Sequence, residues 1–403
     1  MVAFICLTNS SQTFATGAWN FNNVTSGTSA TGQIWFGLAA SSSGQYVVGA
    51  SLDTGSSIGD IWVSSNYGAK WNDVTAGTSA SGSNWESVAI SSTGQYIYAS
   101  TSTDIWKSSD FGSTWTNVTT GTSASGNFFV GVATDSSGKY VYGDIFNGDI
   151  WKSSDFGSTW TNVTTGTSAS GLSYRSISSS ANGQYVAAAG GSGGMLSSSD
   201  YGATWSIASG TSGTGQFTHV SASSSGQYQL ASTFGGSLWT SSNYGVNWAV
   251  TYSGVSGFAQ WGTAMSSSGQ YMFLATEVHG DIWVSSDYGA TWSNDTTGTS
   301  LAGSNNNSPR VLAVSANGQY LYAGYEQPKD IFVANNLALG PVVPVASQTT
   351  NTTPTAPNTG YGTPSSKSLM SGAVMLVSIS AITTGLAIQS RFRLKRKTDI
   401  SSK

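Results

Sequence analysis

Few side chains in this sequence can do chemistry, and fewer are spaced to do it together. Glu277 and Glu326 fall in loops of neighbouring repeats and form the one carboxylate pair worth nominating. Two carboxyl groups about 5–10 Å apart can flank a glycosidic bond, one giving a proton while the other acts as base or nucleophile. A hydrolase is therefore the alternative reading, with Glu277 and Glu326 as its catalytic residues; no others are assigned. No metal is expected, because His219 and His279 lie in different repeats and no Cys/His cluster exists. Both histidines read as solvent-exposed loop residues. Serine is so abundant that its presence nominates no nucleophile, and nothing calls for a cofactor.

Binding has better candidates. Gly-Gln-Tyr stands at 44–46, 94–96, 183–185, 226–228, 269–271 and 318–320, with Gly-Lys-Tyr at 138–140. Aligning the chain on this marker superposes Trp35, Trp85, Phe129, Tyr174, Phe217, Gln260 and Pro309, five of them aromatic. The next column holds Phe36, Glu86, Val130, Arg175, Thr218, Trp261 and Arg310, the most varied in a repetitive sequence. Aromatic faces stack on sugars or peptide side chains, and charged groups orient them. Trp35, Trp85, Glu86, Phe129, Tyr174, Arg175, Phe217, Trp261 and Arg310 are thus the ligand-binding candidates. The other reading is that the aromatics plug a channel or wedge between packed sheets. Variable loops with Asp144, Glu277, His279, Tyr325 and Glu326 should open on the same side.

A repeat must position these columns. Ser108–Trp115 reads Ser-Ser-Asp-Phe-Gly-Ser-Thr-Trp and recurs unchanged at Ser153–Trp160. Variants end at Trp205 and Trp292, and looser ones, with Asn66 or Asn243 for the aspartate, end at Trp71 and Trp248. These tryptophans are 43 to 45 residues apart, a period that means a propeller or solenoid. In the second unit, Trp85–Ser91, Tyr96–Ser100, Asp104–Ser108 and Trp115–Thr119 read as four short strands, the content of a propeller blade. Asp-Ile-Trp begins at 60, 104, 149 and 281, and Asp330-Ile-Phe closes that series. The seventh unit lacks its fourth strand. Trp19–Thr25 matches Trp115–Thr119 and can supply it, closing the ring without an exposed edge. The fold expected is all-β: a seven-bladed β-propeller of four-stranded blades, closed by an N-terminal strand, plus a C-terminal transmembrane helix.

The pattern Ser-x-Asp-x-Gly-x-Thr-Trp resembles the Asp-box, or BNR repeat, of sialidase-type propellers. It is carried here by Asp110, Gly112 and Trp115; Asp155, Gly157 and Trp160; Asp200, Gly202 and Trp205; and Asp287, Gly289 and Trp292. The resemblance spans roughly residues 16–340 and implies that the box is a structural turn on the face away from the binding site. Sialidases of this family grip a carboxylate with three arginines, whereas the body of this chain has two, Arg175 and Arg310. The xyloglucanase relatives use two propellers and a carboxylate pair. Sortilin-like receptors add a larger propeller and a cysteine-rich module. The photosystem II assembly factors share a single seven-bladed Asp-box propeller, with partner surfaces typically rich in arginine.

Charge and the chain ends complete the expectation. Only 8% of residues are charged, and residues 1–366 carry 7 Lys+Arg against 17 Asp+Glu, which argues against nucleic acid. A lone cysteine, Cys6, excludes an internal disulfide. Residues 1–15 read as a truncated signal peptide, 16–340 as the propeller, and 341–367 as a Pro/Thr/Asn/Ser-rich linker. Residues 368–390 carry no charge and are long enough to span a bilayer. Residues 391–403, with six basic side chains and one acid, then form a cytoplasmic tail. Ala356-Pro-Asn-Thr-Gly360 resembles a sortase sorting motif with Ala in place of Leu, so processing at Thr359 stands beside a retained anchor. Sequons begin at Asn23, Asn117 and Asn162, where the repeat alone explains their recurrence. The sum is a monomeric cell-surface propeller that binds a glycan or protein without catalysis. A glycoside hydrolase and a membrane-complex assembly factor are the alternatives.

Overall fold

The computed structural model describes residues 19–52, 58–191, 193–253, 260–276, 280–296, 309–336 and 377–380. Seven blades follow one another around a ring. Their innermost strands are Ile34–Ala40, Trp85–Ile90, Phe129–Thr134, Ser176–Ser179, Phe217–Ala222, Gln260–Met265 and Pro309–Val314, which number blades 1 to 7. Blade 2 shows the pattern: Trp85–Ile90, Ile97–Thr101, Ile105–Ser108 and Thr116–Asn117 pair antiparallel in chain order. Successive side chains of a strand point to opposite faces, so each blade packs on both neighbours. Leu38 joins a core cluster with blade 7 residues, while Ala39 joins one with blade 2 residues.

The N-terminal strand closes the ring as expected. Asn20–Asn23 pairs antiparallel with Ile331–Asn335, the third strand of blade 7. Trp19 packs edge-on against Phe273, ring centroids 5.4 Å apart. Asp330 ties the two chain segments together: its carboxylate accepts hydrogen bonds from Thr25 Oγ1, Thr31 Oγ1 and Asn23 Nδ2, each at 2.8 Å. The same aspartate–threonine bond recurs inside blades as Asp60–Thr75, Asp104–Thr119, Asp149–Thr164 and Asp281–Thr296. That is the task of the aspartate in Asp-Ile-Trp. It also explains the sequons, because Thr25, Thr119 and Thr164 are buried and donate their hydroxyls to this bond.

The Asp-box is a turn that satisfies its own backbone. Asp110 accepts from Ser108 Oγ at 2.8 Å, Thr114 N at 2.8 Å and Thr114 Oγ1 at 2.7 Å. Ser108 Oγ accepts from Gly112 N at 2.8 Å, and Trp115 Nε1 donates to the Gly112 carbonyl at 3.1 Å. Asn66 serves equally because the turn needs an acceptor, not a charge: it takes Ser64 Oγ at 3.0 Å and Lys70 N at 2.8 Å. Phe111 and Gly112 both have positive φ, 61° and 92°. The left-handed turn swings Phe111 onto Tyr46 of the preceding blade, ring centroids 4.9 Å apart. The same doublet forms at every blade junction that has a box, as Phe156–Tyr96, Tyr201–Tyr140, Tyr244–Tyr185, Tyr288–Tyr228 and Tyr67–Tyr320.

A second ring runs through the backbone. Ser42 N donates to Ser92 O, Ser92 N to Ser136 O, Ser136 N to Ala181 O, and Ala181 N to Ser224 O. Ser224 N then donates to Ser267 O, Ser267 N to Ala316 O, and Ala316 N back to Ser42 O. Each blade is thus bonded to the next through the turn after its innermost strand, and the circle closes.

Of the expected membrane segment only Val377–Ser380 is described. It is a strand pairing with the inner strands of blades 1 and 2 and lying against those of all seven blades, hence in the central channel. The rest of 368–390, the signal peptide, linker, basic tail and Thr359 lie outside the described residues. Among the described residues no helix is long and apolar enough to cross a membrane.

Candidate functional site

The two candidate columns sit where the innermost strands begin, at one mouth of the channel, on the face opposite the Asp-boxes. Strand register explains why they behave differently. Trp35 pairs with Ser51 and Gly37 with Ala50, so Phe36 is an extra residue with no partner. The same irregularity skips Glu86, Val130, Thr218, Trp261 and Arg310 in blades 2, 3, 5, 6 and 7. In blade 4 the strand starts at Ser176, just after Arg175. A bulge re-aims one side chain and bends the strand. The varied column is the bulged column.

The aromatic column points the other way. Trp35, Trp85, Phe129, Tyr174 and Phe217 are all fully buried inside the blades. Trp35 lies 6.5 Å from Trp62 and 5.8 Å from Trp71, Trp85 makes the matching pair with Trp106 and Trp115, and Phe217 packs on Trp239. Gly49 leaves the room: a Cβ there would meet the Trp35 ring at 2.7 Å. These aromatics take the wedge arrangement, and their faces are not open to a ligand.

Charge gathers at the bulges instead. Arg310, itself buried, lies with its guanidinium carbon 4.8 Å from the Phe36 ring centroid and its Nε 3.4 Å from Glu326 Oε2. Glu86 reaches the same region from blade 2. Burial pushes its carboxyl up to about 8, and the Arg310 guanidinium opposes that rise. Arg175 stacks 5.8 Å from Phe146, which lies 6.2 Å from Phe128. Sequence reasoning passed over Phe128 and Phe146. Their signal is the longer second strand of blade 3, Val141–Gly148, which continues to pair with Leu172–Ser173.

Other expectations change. Asp144, taken as a loop residue, is a buried strand residue opposite Gly131, where a Cβ would meet its Oδ1 at 2.3 Å. Burial raises its carboxyl to about 7. His219 is not an exposed loop histidine: it is buried in the innermost strand of blade 5, opposite Ser232. Tyr325 is likewise buried, against Phe332. Glu277 and His279 lie outside the described residues, so the pair Glu277–Glu326 has no measured separation. Trp261 occupies its bulge position in the blade 6 strand.

Comparison with known proteins agrees with this architecture. Residues 105–118 and 150–163, the two identical boxes with their flanking strands, match the BNR-Asp box repeat family. A search of curated proteins found no match. Among solved structures, YCF48 from Cyanidioschyzon merolae is similar at 14% identity and TM-score 0.58, over 78% of this chain and 98% of that one. YCF48 bound to D1 peptide is similar at 12% identity and TM-score 0.58, over 79% and 94%. The GH74 xyloglucanase from Xanthomonas campestris is similar at 14% identity and TM-score 0.55; 78% of this chain aligns with 55% of that one. Likeness at these identities speaks for the fold alone. Turn, period and ring closure converge: the chain is a seven-bladed β-propeller built on BNR-Asp box repeats.

Proposed function

We propose that this propeller is a non-catalytic binding module that takes a protein segment at the channel mouth. The observation that carries the reading is the bulged column. Six backbone bulges, one structural device, gather an aromatic ring and a guanidinium at one end of the channel, where Phe36, Glu86 and Arg310 are buried and the half-exposed carboxylate of Glu326 pairs with Arg310. Mixed charge beside aromatic surface suits a peptide, which offers both. The buried aromatic column weighs against glycan stacking at this mouth. The similarity to YCF48 bound to D1 peptide supports a protein ligand, and an assembly-factor role is the form of this reading closest to that neighbour. A surface location with residues 368–390 as anchor rests on the sequence alone.

A hydrolase keeps one specific observation. A carboxyl raised to about 8, as Glu86 is, holds a proton at neutral pH and is suited to general-acid work. Release of reducing sugar from polysaccharide by the full chain, lost in Glu86→Gln, would establish it.

The test of the binding reading is a displayed peptide library panned on the full-length protein. Selected peptides should bind at least about tenfold more weakly to Glu326→Gln and to Arg310→Gln, with unchanged melting for the half-exposed Glu326 variant. Peptides that bind both variants as well as the parent, or a library that yields none, would overturn it.

A further inference from the structure

The Asp-box face carries one junction unlike the others. Facing blade 5, blade 4 pairs Ala187 with Ser197 across its second and third strands. The equivalent pair is larger in every other blade: Val48 with Val63, Leu230 with Thr240, Phe273 with Val284 and Tyr322 with Val333, and, largest, Tyr98 with Lys107 in blade 2 and Tyr142 with Lys152 in blade 3. Those large residues close their junctions. Tyr98 and Tyr142 donate to the Gly138 and Gly183 carbonyls of the next blade at 2.7 and 2.9 Å. Lys107 Nζ crosses to the Phe156 carbonyl at 2.9 Å, and Lys152 Nζ lies 5.6 Å from the ring centroid of Tyr140 in its own blade, the ring that pairs with Tyr201 of blade 4. Ala187 and Ser197 are too short for either task.

The glycines of the boxes record the result. At Gly68, Gly112, Gly157, Gly202 and Gly289, the atom nearest to an added Cβ belongs to the preceding blade, at 2.9 to 3.3 Å. At Gly245, the box glycine of blade 5, the three nearest atoms all belong to Gln229 of its own blade. Blades 4 and 5 still meet through the Ser209 N to Val246 carbonyl bond, and beside that contact a pocket of about 350 Å³ lies between them. One wall is the Tyr185–Tyr244 doublet, at 4.4 Å the tightest of the six. Trp205 and Val246 add apolar surface, and Ser197, Ser199, Thr204 and Ser206 supply hydroxyls. No charged side chain lines it.

We infer that this junction is a binding site for a neutral pyranoside. An aromatic wall faces the C–H surface of a sugar ring, and hydroxyls without formal charge pair with its hydroxyls. The volume stands at the small end of ligand pockets, which run roughly 300–1,000 Å³, and fits a mono- or disaccharide unit. Sugars with equatorial substituents present the flattest apolar face, so the gluco configuration is favoured. This site lies on the opposite face from the channel mouth and does not depend on the function proposed there.

The test titrates methyl β-D-glucopyranoside and cellobiose, at millimolar concentration, into the full-length protein. Saturation-transfer NMR reads the sugar, and tryptophan fluorescence reads Trp205. Two variants decide the location. Ser197→Lys installs the side chain that fills the two preceding junctions. Tyr244→Asn removes one ring at a position with φ 63°, which asparagine tolerates. Expected are saturation transfer to both sugars, a loss of at least about tenfold in affinity in each variant with melting unchanged, and full binding by Glu326→Gln. No transfer to either sugar, or Ser197→Lys binding as well as the parent, overturns the assignment.

Discussion

Replacing Asp330 with alanine tests how the ring is held shut. The carboxylate takes three hydrogen bonds at 2.8 Å, all from the N-terminal segment, across more than 290 residues of chain. A hydrogen bond to a charged acceptor contributes about 1.5–3 kcal/mol, and neighbouring bonds are not additive. The loss should therefore be about 3–5 kcal/mol. Asp104→Ala removes similar bonds, from Thr119 and Ser125, but inside one continuous blade. Blade 4 shows that such a blade can manage without the aspartate, since Gly194 stands at that place and Thr211 donates to the Ala208 carbonyl instead. The two variants should thus differ in kind. In Asp330→Ala, limited proteolysis at low denaturant should cut between residues 19 and 31 before the body unfolds; in Asp104→Ala it should not. Deleting residues 1–25 should go further, leaving the blade 7 edge strand unpaired and prone to aggregate. If Asp330→Ala has the urea midpoint of the parent and a protected N-terminus, the backbone ring alone closes the fold and the latch argument fails.

Three further outcomes are expected. Trp35→Ala and Trp85→Ala should each destabilise by about 3–5 kcal/mol, the cost of emptying a buried aromatic site; unchanged urea midpoints would return these rings to the candidate list. Stability should fall as pH rises from about 4.5 to about 8. Across that window the unfolded chain ionises Glu86 and Asp144, while burial keeps both protonated in the fold at values of about 8 and about 7. The slope is up to about 1.4 kcal/mol per pH unit per group, Glu86→Gln should flatten it, and a urea midpoint that climbs over the window would contradict it. The acid flank has the opposite sign. Partial burial raises the carboxyls of Asp110, Asp155, Asp200 and Asp287, but bonds from the box threonine and serine outweigh it and hold them below the ordinary range. Their contribution is present above the ordinary Asp pKa and lost as pH drops through the lowered values, so asparagine at all four boxes should blunt the acid transition seen by circular dichroism.

The period and the turn chemistry were enough to read the fold, because each motif residue has a local task visible in its type: an acceptor at 110, positive φ at 112, a large ring at 115. Ring closure was legible for the same reason, since Trp19–Thr25 repeats Trp115–Thr119. Side-chain direction was not. A strand that alternates strictly would send Trp35 one way and Phe36 the other, but the bulge adds a residue that no hydropathy pattern announces. The sequence left the aromatic column as either a rim or a wedge between sheets, and its burial makes it the wedge. His219 and Asp144 were misplaced because polar residues in a Ser/Gly-rich chain suggest loops, whereas small neighbours such as Gly131 make room for them inside. The same repetition that announces the fold hides its sites. A motif kept in every blade is doing the same structural work in every blade. Specific function must sit where the pattern breaks, at the bulged column that differs from blade to blade and at Ala187 and Ser197, where two large residues have become small.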